Sequence, residues 1–180
     1  MTQYYLDIET EGFNINSDKI ISIQFQELDR WGKASGPLVI LKEWESSEEE
    51  IVLQFYKKLF AKNVWSFIPV MCNSIFDLTF LWAKFEKYNL PLKYTLSEFI
   101  YKAPLIDIKY SLIIANNFEF KGSGLDQMTN KKADGRVIPI FYKNREFGKI
   151  EEYIKNETES FIECLGKLNT VLKEAFKKDV

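Results

Sequence analysis

Histidine does not occur anywhere in this 180-residue chain. That removes a histidine general base, histidine-ligated zinc, and every Ser–His or Cys–His nucleophile pair. Cysteine is scarce: Cys72 and Cys164 stand far apart with no CxxC spacing, as expected of reduced core residues in a cytoplasmic protein. Long apolar runs are also missing. The longest, Val64 to Cys72, contains Ser66 and Pro69, and no basic-plus-apolar leader opens the chain, so neither a membrane span nor a secretory signal is expected. Nor is there a surplus of positive charge. With 24 basic and 26 acidic residues the net charge is -2, so no global field draws the protein to nucleic acid, and such a role would need a local site. Chemistry must come from carboxylates, Tyr, Lys or Cys, with a hard metal ion as the natural partner.

What is present is a core. Hydrophobic residues make up 46% of the chain and aromatics 16%, enough for one domain over residues 1–180. The opening run Gln3 to Ile8 reads as a strand. Ile21, Ile23 and Phe25 alternate with Ser22, Gln24 and Gln26 in a second strand over Lys19 to Leu28, and Pro37 to Trp44 reads as a third, giving an antiparallel meander. Ser46-Ser47 before Glu48-Glu49-Glu50 starts a helix. The nearly all-apolar stretch Val64 to Cys72 is expected to be a buried central strand, parallel to the first. A helix from Ile75 to Tyr88, a short strand at Leu105 to Ile108, a helix from Lys109 to Ala115 and a short helix at Leu125 to Met128 follow. The last helix begins near Gly148 and carries an apolar stripe of Ile150, Ile154, Phe161, Leu165, Leu168, Leu172 and Phe176. The fold class is α/β, a central mixed five-stranded sheet flanked by helices, with a long C-terminal helix.

Three acidic clusters sit on this frame. In Asp7-Ile8-Glu9 the period of two puts both carboxylates on one face at a strand end, where they repel unless a cation lies between them. A strand running out into a charged turn would look the same. Asp77, in Asn73-Ser74-Ile75-Phe76-Asp77, falls in the first turn of the helix after the central strand. A first-turn acid also complements the helix dipole, but this carboxyl edge of an open α/β sheet is where ligands bind. In the last helix Tyr153 and Glu157, four residues apart, share a face, with Glu157 at the border of the apolar stripe. An acid there needs a partner or must reach solvent.

Together the three clusters resemble the DEDD (DnaQ-like) 3′–5′ exonucleases: Asp-x-Glu in the first strand, Asn-x-x-Phe-Asp after the fourth, and Tyr-x-x-x-acid in a C-terminal helix. Tyr153 is similar to the signature of the tyrosine (DEDDy) branch, which includes the proofreading exonuclease domains of family-B DNA polymerases. The resemblance spans nearly the whole chain and implies a ribonuclease-H-like fold. It implies a metal-dependent hydrolase of single-stranded DNA or RNA 3′ ends, with Asp7, Glu9, Asp77, Tyr153 and Glu157 as catalytic residues. The four acids would hold two divalent cations, Mg²⁺ or Mn²⁺, one activating water and the other steadying the leaving oxygen. Thr10, Asn73 and Phe76 would contact the terminal nucleotide. One departure is plain: the family's fourth acid is Asp, whereas Glu157 reaches one methylene further. A catalytically silent exonuclease-like module binding nucleic acid or a replication or repair partner is the alternative, and a ribonuclease-H-type endonuclease is a second.

Weaker candidates are Asp107, expected as a helix N-cap, and the loop cations Lys131, Lys132, Arg136, Lys143 and Arg145, which either steer phosphate or simply solvate. The tryptophans Trp31, Trp44, Trp65 and Trp82 are expected to pack rather than stack on bases.

Overall fold

The protein is described by a computed structural model covering residues 1–129 and 134–176. Three strands open the chain: β1 (Gln3–Thr10), β2 (Ile20–Leu28) and β3 (Ala34–Lys42). Helix α1 (Glu48–Leu59) follows, then β4 (Ile68–Met71), α2 (Ser74–Lys87), α3 (Leu96–Lys102) and β5 (Ile106–Asp107). Short helices α4 (Lys109–Ala115), α5 (Leu125–Met128) and α6 (Ile138–Lys143) lead into α7 (Phe147–Ala175). The sheet order is β3-β2-β1-β4-β5. β1–β2 and β2–β3 pair antiparallel, while β1–β4 and β4–β5 pair parallel. This is the expected mixed five-stranded sheet.

The period of two along β1 sorts its side chains between two layers. Tyr4, Leu6 and Ile8 face a core made with α1 and α2, including Phe55, Phe67, Phe80 and Phe85. Tyr5 packs on the opposite side, with Phe161 and Cys164 of α7 and Leu112 of α4. Asp7 and Glu9 share the parity of Tyr5 and so face α7. A third apolar group joins Ile21 of β2 to Ile138 of α6 and to Ile150, Tyr153 and Ile154 of α7.

β4 is shorter than Val64 to Cys72 because the chain first turns. The Asn63 side chain accepts from Trp65 N–H at 2.9 Å, and its carbonyl accepts from the Ser66 hydroxyl at 2.6 Å. Pro69 is tolerated inside this strand for a local reason. Ile68 N–H points at the β1 side, to the Thr2 carbonyl at 2.9 Å, so the donor that Pro69 lacks would face β5, whose pairing begins only at Val70. The stripe of α7 is buried through Cys164, but Leu172 and Phe176 are exposed rather than packed. Helix α6 was not expected from the sequence. Pro139 in its first turn is compatible with a helix start, where no backbone donor is needed. Trp82 is buried and Trp44 stacks on Phe147 at 5.0 Å, while Trp31 and Trp65 are exposed.

Candidate functional site

Two elements carry the acids to one place. The end of β1 presents Asp7 and Glu9, and α7 crosses it with Tyr153 and Glu157 one turn apart. Carboxylate oxygens from Asp7, Glu9 and Glu157 all lie within 4.8 Å of one another. Asp77, on the first turn of α2, stands outside that group but lines the same 340 Å³ hollow, together with Asn73, Phe76, Tyr153 and Glu157. A second hollow of 340 Å³ lies on the other flank of Asp7 and Glu157, bordered by Cys72, Lys109 and Asp126.

Burial sharpens the electrostatics. Glu9, Asp77 and Tyr153 are all under 10% exposed (8%, 5% and 6%). Desolvation, and then the charges of Asp7 and Glu157, hold the Asp77 carboxyl well above its ordinary value. Burial likewise pushes the Tyr153 hydroxyl far up, helped by the charges of Glu157 and Glu9 and by a hydrogen bond to Glu157. Tyr153 therefore keeps its proton and is a donor, not a base. The thiol of Cys72 is pushed up to about 12, by burial and then by Asp107, so it is no nucleophile.

These shifts have a consequence for stability. Between the ordinary aspartate value of about 4 and the higher native value, the folded protein holds a proton on Asp77 that the unfolded chain has released. The native state binds more protons there, so stability falls as pH rises through that window. In EDTA the unfolding midpoint is expected to drop above about pH 4, and less steeply in Asp77→Asn. A midpoint with the same slope in both proteins would contradict this.

The acids are propped from beneath by residues that sequence reading passed over. Gln24 lies opposite Asp7 in the β1–β2 ladder, and Ser22 opposite Glu9. Both are fully buried. Gln24 Nε2 donates to Asp7 Oδ2 at 2.9 Å and to Glu9 Oε1 at 3.4 Å, while the Ser22 hydroxyl donates to Gln24 Oε1 at 3.1 Å. The Tyr5 hydroxyl donates to the same Asp7 oxygen at 3.3 Å. The polar positions of β2 were legible, but only the cross-strand register reveals what they face.

The remaining candidates divide. Phe76 lines the hollow and meets exposed Phe13, a residue the sequence did not flag, at 6.0 Å between ring centroids. Thr10 and Asn73 line it too, although the Thr10 hydroxyl is spent on the Gly12 carbonyl at 2.7 Å. Asn73 enters α2 through the left-handed region, φ 66°. Asp107 was expected as a helix N-cap, but it ends β5 and Ile108 holds the N-cap place of α4; its carboxylate instead ties two helix starts together. Besides Lys109 N–H at 2.9 Å, it accepts from Asn73 N–H at 3.0 Å and Ser74 N–H at 2.8 Å, so it fixes the start of α2. Arg136 borders the acidic hollow and pairs with Asp134 at 2.6 Å. Beside it, a Cβ on Gly135 would stand 3.2 Å from the Tyr153 hydroxyl. Lys143 and Arg145 line a different hollow, with Glu43 and Trp44. Lys131 and Lys132 lie outside the described residues.

The donor set suits hard cations. All candidate ligands are carboxylate oxygens, with no imidazole in the chain and no thiolate in the group, a set that fits a divalent cation.

A family model described as RNase_H superfamily matches residues 4–163. Among solved structures the chain is similar to the zinc-ion-bound form of the E. coli ExoI–ssDNA complex, with a TM-score of 0.68 and 11% identity. That match covers 97% of this chain and 42% of the other, so the chain spans well under half of that neighbour's length. No curated protein matches. No helix among the described residues is long and apolar enough to cross a membrane.

Proposed function

The chain belongs to the RNase_H superfamily, and we propose that it is a metal-dependent 3′–5′ exonuclease of the DEDDy type acting on single-stranded DNA or RNA ends. One observation carries this reading: carboxylate oxygens of Asp7, Glu9 and Glu157 lie within 4.8 Å of one another at a strand end, where like charges repel and a divalent cation between them relieves the repulsion. Similarity in fold to a structure solved with single-stranded DNA and a divalent ion supports it.

Asp7, Glu9 and Glu157 would hold one cation, and Asp7 with Asp77 a second. When bound, such a pair supplies Lewis acidity to the attacking and leaving oxygens of an in-line displacement. Everything else falls to the chain itself. Gln24 and Tyr5 fix the Asp7 carboxylate by hydrogen bonds. Tyr153 keeps its proton on the hydroxyl, committed to Glu157, so it orients the attacking water by accepting a hydrogen bond through its oxygen rather than deprotonating it. Phe13 and Phe76 offer an aromatic wall on which a terminal base stacks. Attack on the terminal phosphodiester breaks the P–O3′ bond and releases a nucleoside 5′-monophosphate, leaving a new 3′ hydroxyl.

The test is digestion of 5′-labelled linear oligonucleotides beside a closed circular strand, with Mg²⁺ or Mn²⁺. A ladder shortening from the 3′ end, an intact circle, and loss of products with EDTA are expected. Nicking of the circle would make the protein an endonuclease. Folded protein with no products in either metal would support the silent binding module instead.

A further inference from the structure

A buried ion pair outside the carboxylate cluster is wired to the loop that walls the nucleotide hollow. Lys84 is 1% exposed and Glu48 4% exposed. Their side chains pair at 3.2 Å across α2 and α1. A buried lysine is a large desolvation burden unless every donor is used. Here Lys84 Nζ also donates to the Asp18 carbonyl at 2.5 Å, and Glu48 Oε1 accepts from Ile20 N–H at 2.9 Å. Asp18 is the second-to-last residue of the β1–β2 connection and Ile20 the first of β2. The pair therefore grips that connection at its base.

The Asp18 side chain continues the link toward the hollow. Its carboxylate accepts from Asn14 N–H at 2.9 Å. It also lies so close under Gly12 that a Cβ there would come within 2.3 Å of it. Gly12 and Phe13 line the hollow beside Asp77. Lys84 stands seven residues, two helical turns, after Asp77, on the same face of α2. One helix thus carries Phe76 and Asp77 at its start and, at its far end, the cation that fixes the loop opposite them.

We infer that Lys84 is a positioning residue: by tying Asp18 to α2 it sets Phe13 against Phe76 and so fixes the wall that receives the terminal nucleoside. The nucleotide part of this inference rests on the exonuclease reading, whereas the anchoring of the loop does not. Lys87 is the built-in comparison. It pairs with the same Glu48 at 2.7 Å, but from the exposed side and through the other oxygen, with its hydrogen bond spent on Glu48 rather than on the loop.

The experiment compares wild type, Lys84→Met and Lys87→Met by hydrogen exchange, affinity for thymidine 5′-monophosphate, and oligonucleotide turnover. Lys84→Met leaves Glu48 bonded to Lys87, Tyr88 and the Ile20 amide, so the variant should fold, as its unfolding midpoint will report. Exchange over residues 11–19 is expected to rise at least about tenfold, nucleotide affinity to fall and KM to rise by about the same factor, and kcat to stay within about twofold, the pattern of lost ground-state binding. Lys87→Met should match wild type in all three. Unchanged exchange over 11–19, equal effects in both variants, or a fall in kcat with KM constant would overturn the inference. If wild type turns over no oligonucleotide, the exonuclease reading fails by itself, and exchange with mononucleotide affinity still decides the role of Lys84. A wild type that binds no mononucleotide overturns that role as well.

Discussion

Replacing Asp7 by Asn is expected to lower turnover by about 10³-fold or more and, in the absence of metal, to make the protein more stable. The two directions come from one cause. Asp7 is the acid common to both proposed cation positions, and loss of several kcal/mol of transition-state charge stabilisation converts at 1.36 kcal/mol per tenfold. Without cations, however, Asp7 is a negative charge beside Glu9 and Glu157 and one that drives the neighbouring Asp77 toward its neutral form. Removing it relieves that repulsion. Each kcal/mol gained raises the midpoint of a chain this size by about 2–4 °C. An asparagine oxygen can still accept from Gln24 Nε2, which now reaches Asp7 at 2.9 Å, so the support beneath the site survives. Thermal unfolding in EDTA and initial rates in Mn²⁺ measure both halves. A variant that loses activity and stability together would point to a structural role for Asp7.

The second large effect concerns Glu48, a residue remote from the chemistry. Glu48→Ala is expected to destabilise the fold by about 3–5 kcal/mol, the usual result of leaving one member of a buried pair uncompensated. Lys84 would remain 1% exposed with its ion pair gone and the Asp18 carbonyl left to accept from it. Ile20 N–H would lose its acceptor and Tyr88 its carboxylate. Against a total stability of roughly 5–15 kcal/mol that is a large share, and the midpoint should fall by on the order of 10 °C. Lys87→Met should cost under about 1 kcal/mol, because its pair is half in water. The asymmetry is the diagnostic. Burial works against the Glu48 charge, but Lys87, Tyr88 and the Ile20 amide outweigh it and hold its carboxyl below the usual range. Its contribution is thus present at neutral pH and is lost as pH falls through the depressed value. Denaturant unfolding at neutral pH measures the effect, and a Glu48→Ala loss no larger than that of Lys87→Met would contradict it.

Why some of this was legible in the sequence and some not follows from how each signal is encoded. Local periodicity carried the strands: alternation in β1 and β2 placed Asp7 and Glu9 on one face, and a spacing of four placed Tyr153 and Glu157 together on α7. Those regularities need no tertiary information. The acid group within 4.8 Å then follows once α7 crosses the end of β1. In the sequence Glu48 is one of three acids opening a helix, and nothing local distinguishes it from Glu49 and Glu50. Only packing against α2 makes it the buried one of the three. Gln24 and Ser22 gave the signal of a polar strand face, but which carboxylates lie above them is a property of register. Asp107 was expected as the N-cap of its own helix; Ile108 holds that place, and the Asp107 carboxylate accepts from Lys109 N–H and from Ser74 N–H at the start of α2, 33 residues away in sequence. Long-range partners of short polar side chains leave no periodic trace. Phe13 sits in a loop, where periodicity is silent, and becomes a candidate only through its contact with Phe76.

The measurement closest to the centre of the account is a calorimetric titration of Mn²⁺ into metal-free protein, wild type beside Asp7→Asn. If Asp7, Glu9, Asp77 and Glu157 hold a pair of cations, wild type takes up two ions, and the variant loses both tight sites. Wild type that binds no Mn²⁺, or binds it equally well without the Asp7 carboxylate, would contradict the two-cation site and the exonuclease reading built on it.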